Sequence, residues 1–247
     1  MKAVLLSLLA IVAGTAAFAG ETVGYKVDGA DFEGYFAKAS GPSKGLVLVI
    51  HDWDGLGGYE QKRADMLADM GYDAFAVDLF GKGNRPATLE ARMAETGKLY
   101  KDREKMRSLL LGGLSEAQKR SQGNVVVMGY CFGGTATLEL ARSGKANKVK
   151  GYASFHGGLA TPAGQSYSKD TPPIFVAHGG ADTIIKMPEV AAFVEELEKT
   201  GVKYDLEIYS GAPHAFTVFG APVYREHADK KSWATFQDFL KANLGGS

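Results

Sequence analysis

Short apolar runs alternate with amphipathic segments over most of this chain, and this alternation restricts the possible folds more than any other feature. Apolar runs of strand length begin at residue 46, and segments with the three-to-four-residue apolar spacing of helices separate them. The pattern predicts right-handed crossovers and an open, mostly parallel α/β sheet with helices on both faces. The predicted strands are 46–50, 74–77, 125–128, 149–155, 174–177 and 204–209, each expected to be buried on both faces. The predicted helices are 60–70, 89–111, 135–142, 188–199 and 224–242.

The chain before residue 45 has a different pattern, with two shorter strand candidates at 21–27 and 32–39. Asp28-Gly29 lies between them, and this dipeptide is typical of a tight hairpin turn. We therefore expect an antiparallel hairpin at the start of the sheet. In a sheet that is mostly parallel, ligands bind beyond the carboxyl ends of the strands. The polar segments that follow predicted strands are His51-Asp52-Trp53-Asp54-Gly55, Cys131, His178 to Asp182, and Ala212-Pro213-His214.

One cysteine lies where a predicted strand turns abruptly into a helix, in Gly129-Tyr130-Cys131-Phe132-Gly133-Gly134. This is the pattern of a nucleophile elbow, in which glycines leave room for a strained backbone turn. At a helix N-terminus the backbone N–H groups favour a thiolate and can bind an oxyanion. The competing interpretation is a buried structural thiol in a glycine-rich turn.

The order of candidate residues along the chain favours catalysis. A cysteine nucleophile needs a base, and the base needs a carboxylate to orient it. Cys131, Asp182 and His214 occur in the order nucleophile, acid, histidine, each in a loop after a predicted strand. His156 and His178 are assigned structural hydrogen-bonding roles, His51 a positioning role and His227 a place on the surface. No pair of histidines has the spacing of a zinc site on a helix, so we expect neither a metal nor a cofactor.

The first residues of the chain predict export. A lysine precedes an apolar stretch too short to span a bilayer comfortably, and Ala17-Phe18-Ala19 fits a small-x-small cleavage site. Residues 1–19 are thus expected to be a signal peptide, and 20–247 a single catalytic domain that is periplasmic or secreted and not membrane-bound. Exported cysteines are usually paired, so a lone one in the elbow favours a reactive thiol. With 28 basic and 28 acidic residues the chain has no net charge, and nothing favours nucleic acid. We expect a monomer.

These motifs together resemble the dienelactone hydrolase family of α/β-hydrolases over the whole mature chain. The resemblance rests on the cysteine elbow, on His178-Gly-Gly-Ala-Asp182, on Pro213-His214-Ala215-Phe216, and on the loop from Ile50 to Gly55. It implies an α/β-hydrolase fold, with Cys131 as nucleophile, His214 as base and acid, and Asp182 as the orienting carboxylate. It also implies that the backbone N–H groups of Trp53 and Phe132 form the oxyanion hole.

Two positions depart from the family's pattern. Where relatives have a glutamate that helps the cysteine to ionise, this chain has Asp52, which is one methylene shorter. Where relatives hold a substrate carboxylate with arginines, Lys82 follows Asp-Leu-Phe-Gly, and Val218 stands four residues after the catalytic histidine. Lys82 and Arg85 are the candidate substrate-binding residues. A solvent-exposed lysine is the competing interpretation for Lys82.

The expected function is an exported carboxylic ester or lactone hydrolase that acts on a small-molecule substrate through a thioester. Two other functions stay open at this point. A peptidase or amidase would need the same triad, and a non-catalytic exported binding protein could keep the pocket without turnover.

Overall fold

The computed structural model describes residues 20–245, which form one eight-stranded sheet flanked by helices. The predicted signal peptide at 1–19 lies outside the described residues. The strands are β1 Glu21–Val27, β2 Ala30–Ala37, β3 Leu46–Ile50, β4 Asp73–Val77, β5 Val125–Tyr130, β6 Val149–Phe155, β7 Ile174–Gly179 and β8 Tyr204–Tyr209. The helices are α1 Gly58–Asp69, α2 Leu89–Lys101, α3 Arg103–Arg120, α4 Phe132–Ser143, α5 Met187–Thr200 and α6 Glu226–Leu244.

The strand order is β1-β2-β4-β3-β5-β6-β7-β8. β2 pairs antiparallel with β1 and β4, whereas the pairs from β4 to β8 are parallel. The predicted mostly parallel α/β sheet is therefore confirmed. The N-terminal hairpin is confirmed too, and its turn residues Asp28 and Gly29 have φ of 50° and 82°, the left-handed values that a tight hairpin turn needs.

Both faces of the central strands are buried, as an apolar strand between two helix layers requires. In β3, Leu46, Leu48 and Ile50 pack into the core under α2, α3, α4 and α5, while Val47 and Val49 pack into the core under α1 and α6. β8 differs from the prediction, because Asp205 and Ile208 are exposed at the edge of the sheet and three other residues of the strand are only partly buried. None of the described helices is both long and apolar enough to cross a membrane.

The single helix predicted at 89–111 is wrong, since the segment forms two helices that meet at Asp102. The backbone of Asp102 has φ −116° and ψ 82°, outside the helical region, and its carboxylate accepts a hydrogen bond from Lys105 N at 2.9 Å. Asp102 thus caps the start of α3. The apolar spacing is helical on both sides of Asp102, so periodicity alone does not reveal the break. Asp102 itself, an aspartate directly before Arg103-Glu104, is a helix-capping signal from which the break could have been predicted.

Candidate active site

Cys131 occupies a strained turn between β5 and α4. Its φ of 49° and ψ of −110° are unusual for a residue with a side chain. The turn is possible because its neighbours are glycines: a Cβ on Gly129 would lie 2.2 Å from Gly133 O, and a Cβ on Gly133 would lie 2.3 Å from Ile50 O. The fold thereby places the sulfur above the carboxyl ends of β3 and β5.

Three loops bring the predicted triad residues together. His214 Nε2 lies 3.0 Å from Cys131 Sγ, and His214 Nδ1 lies 2.8 Å from Asp182 Oδ2. Asp182 follows β7 and His214 follows β8, so the two residues come from adjacent strand ends. The distances are those of a nucleophile hydrogen-bonded to a base that a carboxylate orients.

The second oxygen of Asp182 is fixed by the backbone. Oδ1 accepts hydrogen bonds from the N–H groups of Ile184 at 2.8 Å and Ile185 at 2.9 Å. Burial tends to raise the pKa of Asp182, but the hydrogen bonds from His214 and from the two backbone N–H groups outweigh it, so the pKa lies below its usual value. Asp182 is therefore ionised at neutral pH and presents one oxygen to the histidine.

Asp52 lies beside the buried sulfur, and burial and this carboxylate both act on the charge of the thiol. Burial raises the pKa of the Cys131 thiol well above its usual value, and the charge of the hydrogen-bonded Asp52 carboxylate raises it further. Burial also raises the pKa of Asp52 itself, to about 6. At neutral pH Asp52 is mainly ionised and Cys131 is a neutral thiol, because two adjacent buried negative charges repel each other.

Asp52→Asn should therefore speed the alkylation of Cys131 by iodoacetamide at pH 7 by about tenfold. Removing the neighbouring negative charge lowers the thiol pKa, and one pKa unit corresponds to a tenfold change in the thiolate fraction. The measurement is the alkylation rate as a function of pH, with Asp54→Asn in the same loop as the matched control, for which we expect less than a twofold change. Equal rates for Asp52→Asn and the wild type would show that the carboxylate does not hold the thiol neutral.

Asp52 also accepts a hydrogen bond from one of the two backbone N–H groups that are predicted to bind the oxyanion. Its Oδ1 accepts a short hydrogen bond from Trp53 N–H, whereas the N–H of Phe132 is directed at the sulfur of Cys131. His51 holds the loop in place: its Nδ1 bonds to Asp52 O, and its Nε2 accepts from Leu79 N at 3.1 Å. Burial lowers the pKa of His51 to about 4, so the ring is neutral and structural. A substrate oxygen that enters between the two N–H groups must displace the Asp52 carboxylate.

His156, at the end of β6, supports the elbow from behind. The N–H of Cys131 is shared between Phe155 O at 3.0 Å and His156 Nδ1 at 3.2 Å. Nδ1 of His156 therefore accepts a hydrogen bond, so the ring proton lies on Nε2, which donates to Thr217 Oγ1 at 2.8 Å. Thr217 Oγ1 in turn bonds to Tyr59 OH at 2.7 Å. The structural role expected for His156 is confirmed, but no sequence pattern predicted its partners Thr217 and Tyr59. The hydrogen-bonding role predicted for His178 is not seen, since neither of its ring nitrogens has a hydrogen-bond partner among the described residues.

A buried ion pair fixes the loop that carries His214. Arg63 of α1 pairs with Asp229 of α6, and both side chains are almost fully buried. Arg63 Nη2 also donates to Thr217 O at 3.0 Å, three residues after His214. The pair thus ties the His214 loop to two helices on one face of the sheet. Sequence reasoning missed this pair, because its members are 166 residues apart.

A pocket of about 250 Å³ opens at the sulfur. Apolar groups make up most of its wall, with Cys131, His214 and Asp52 at one end. Beside Asp52, Cys131 and His214, its lining residues are Trp53, Tyr100, Phe132, Thr135, Gly158, Ile184, Ile185 and Ala215. Sequence reasoning did not identify Thr135, Ile184 or Ile185. An aspartate commonly accepts hydrogen bonds from the backbone N–H groups two and three residues after it. This spacing could have placed Ile184 and Ile185 beside Asp182.

The structure does not place the predicted substrate-binding cations in this pocket. Arg85 lies 3.6 Å from the buried Asp78 carboxylate and donates to the backbone oxygens of Leu56 and Asn84. Lys82 is exposed, and its charge acts on Asp31. Both residues follow β4, but Asp78 holds the Arg85 side chain outside the pocket, and Lys82 is exposed to solvent. Within residues 20–245 no cluster of three or more His, Cys, Asp or Glu side chains could hold a metal ion.

Comparisons with known proteins agree with this fold. A putative carboxymethylenebutenolidase from Aquifex aeolicus is 26% identical over 242 residues, which cover 91% of this chain and 99% of that protein. The crystal structure of a dienelactone hydrolase-like promiscuous phosphotriesterase from metagenomic libraries is 26% identical, with a TM-score of 0.81 over 91% of this chain and 98% of the other. The model of the dienelactone hydrolase family matches residues 32–244. With that match over nearly all the described residues, the chain belongs to the dienelactone hydrolase family.

Proposed function

We propose that this protein hydrolyses carboxylic esters or lactones through a thioester on Cys131. The observation that carries the proposal is the chain of contacts from Cys131 Sγ to His214 Nε2 at 3.0 Å and from His214 Nδ1 to Asp182 Oδ2 at 2.8 Å. A relative from Bradyrhizobium, 24% identical over 213 residues, bears the name of a probable lactonase. Because the first residues predict a signal peptide, we also propose that the reaction takes place after export.

In the proposed acylation step, the substrate carbonyl oxygen replaces the Asp52 carboxylate on Trp53 N–H. His214 Nε2 takes the proton of the Cys131 thiol as the sulfur bonds to the carbonyl carbon. The resulting oxyanion is stabilised by the N–H groups of Trp53 and Phe132; one such donor typically contributes about 100- to 1,000-fold to kcat. When the C–O bond to the alcohol breaks, His214 returns the proton to the leaving oxygen and a thioester is left on Cys131.

In the proposed deacylation step, His214 removes a proton from a water molecule as the water oxygen attacks the thioester carbon. The same two N–H groups stabilise the second oxyanion. When the C–S bond breaks, His214 protonates the sulfur, and the carboxylic acid leaves. Asp182 stays ionised throughout and stabilises the positively charged histidine that forms in each step.

The test is to follow the hydrolysis of p-nitrophenyl valerate and to quench the reaction in acid during turnover. Mass spectrometry of the digested protein should show one valeryl group on the peptide that contains Cys131. The p-nitroanilide of valeric acid is the matched amide substrate, and we expect slower turnover of it. Activity confined to the anilide would favour a peptidase or amidase, and binding without turnover of either compound would favour a non-catalytic protein. Either result would overturn the proposal.

A further inference from the structure

The residues that line the pocket at Cys131 indicate which substrates fit there, whereas the candidate triad indicates only the reaction. Beyond the triad and Asp52, its side chains are aromatic or aliphatic apart from the Thr135 hydroxyl and the Tyr100 phenol. Burial raises the pKa of Tyr100 to about 12, so this side chain stays neutral. The lining contains no lysine and no arginine. A carboxylate on the substrate would find no cation in the wall.

The arginines around the pocket have carboxylate partners outside it. Arg92 lies over the Trp53 ring, 5.4 Å from its centroid, and 3.6 Å from Asp54. Arg103 lies over the Tyr100 ring, 4.9 Å from its centroid, and 3.4 Å from the buried Glu139. Each guanidinium group packs against an aromatic ring of the wall, and neither lines the cavity. Turning either one inward would break its ion pair.

The carboxylate that does line the pocket has the same charge as an anionic substrate. Asp52 is in contact with the sulfur and is mainly ionised at neutral pH. A second carboxylate in this small cavity would be repelled by Asp52 and would lose its hydration without gaining a cation. Both effects act against an anionic acyl group. Neither affects a neutral one, whose apolar surface gains free energy on burial.

The apolar wall continues to the protein surface. Ile184 lines the pocket and is also 65% exposed, and Ile185 lies beside it with its side chain partly buried. The backbone N–H groups of both residues donate to Asp182, and these hydrogen bonds hold the apolar edge of the pocket in place. A cavity of about 250 Å³ is slightly smaller than the roughly 300–1,000 Å³ of most ligand sites, which indicates a small acyl group.

We infer that the substrates are uncharged esters or lactones whose small apolar acyl portion fills this pocket, and that the enzyme discriminates against acyl groups bearing a carboxylate. This inference rests on the proposed function, because it concerns the substrate of the same triad. It goes further by naming which substrates the site accepts and which it rejects.

Two esters of matched length test the inference on the wild-type protein: p-nitrophenyl valerate, which is neutral, and mono-p-nitrophenyl glutarate, which ends in a carboxylate. Each rate is divided by the rate of hydroxide-catalysed hydrolysis of the same ester, to remove differences in intrinsic reactivity. We expect kcat/KM for the valerate to exceed that for the glutarate by at least about 100-fold. A ratio near one, or a preference for the glutarate, would overturn the inference and leave the proposed function standing. Absence of turnover with both esters would overturn the proposed function.

Ile184→Lys adds a cation at the mouth of the pocket, and the exposure of this side chain makes the change compatible with folding. We expect this variant to reduce the valerate-to-glutarate ratio at least tenfold, mainly through faster cleavage of the glutarate. Ile184→Met is the matched control and should keep the wild-type ratio. High salt should raise the ratio in the lysine variant again, because salt screens an exposed charge. An unchanged ratio in Ile184→Lys would contradict the inference that charge at this wall determines selectivity.

Discussion

Cys131→Ala should reduce kcat on p-nitrophenyl valerate by roughly 10⁴- to 10⁶-fold, to near the rate in buffer, which is the range seen when the nucleophile of a triad is removed. The physical reason is that no other nucleophile in the described residues has its proton within reach of His214 Nε2, which contacts Cys131 Sγ at 3.0 Å. The oxyanion donors would survive the change, but without a sulfur they have no covalent intermediate to stabilise.

The alanine variant should fold normally, because it keeps the Cβ that the strained φ of 49° already accommodates. Circular dichroism and the thermal unfolding temperature would verify this. Cys131→Ser is the informative second variant, since it keeps a nucleophile in the same turn and should give an intermediate rate. Turnover by Cys131→Ala within tenfold of the wild type would remove Cys131 from the mechanism.

Asp182→Asn should lower kcat by roughly 10⁴-fold, the loss observed when a triad aspartate becomes asparagine. The backbone predicts how the new side chain will be oriented. The N–H groups of Ile184 and Ile185 must face the amide oxygen, so the NH₂ group has to face His214 Nδ1. Nδ1 then accepts a hydrogen bond, and the ring proton moves to Nε2. A histidine protonated at Nε2 cannot take the thiol proton.

Alkylation separates this defect from loss of the nucleophile. Asp182→Asn should still react with iodoacetamide at Cys131, whereas Cys131→Ala should not react there. The control is Asp205→Asn, which makes the same chemical change at an exposed position of β8. This variant should retain wild-type turnover. A loss of less than tenfold in Asp182→Asn would mean that the tautomer of His214 does not depend on Asp182.

Much of the fold could be predicted from the sequence because its strands are short apolar runs with clear boundaries. The predicted strand 46–50 agrees with β3, and both turn residues of the N-terminal hairpin were identified. The helix prediction for 89–111 failed because one capping aspartate between two apolar patterns ends α2 and starts α3. Burial of β8 was overestimated, since the sequence pattern does not tell which strand lies at the edge.

The candidate triad could be predicted because its residues follow strands in a recurring order, but the remaining contacts of the site depend on packing. The prediction that Lys82 and Arg85 bind substrate came from their position after β4. The side chain of Arg85 is drawn to Asp78, 3.6 Å away, and Lys82 is exposed beside Asp31. A sequence shows which charged residues are present. It does not show which of them form ion pairs, because pairing depends on distances of a few ångströms in the folded chain.

The sequence pattern was enough to predict the α/β sheet, the strained elbow that glycines permit at Cys131, and the order of Cys131, Asp182 and His214 along the chain. These features are local, since they depend on apolar spacing and on the conformational freedom of glycine. The packing of distant segments was needed to show that burial, together with Asp52, keeps the thiol neutral and that Asp52 accepts a hydrogen bond from Trp53 N–H. It was also needed to show that an apolar wall without cations faces the sulfur. Charge state and pocket polarity arise from burial and from neighbours distant in the chain, and folding alone brings those together.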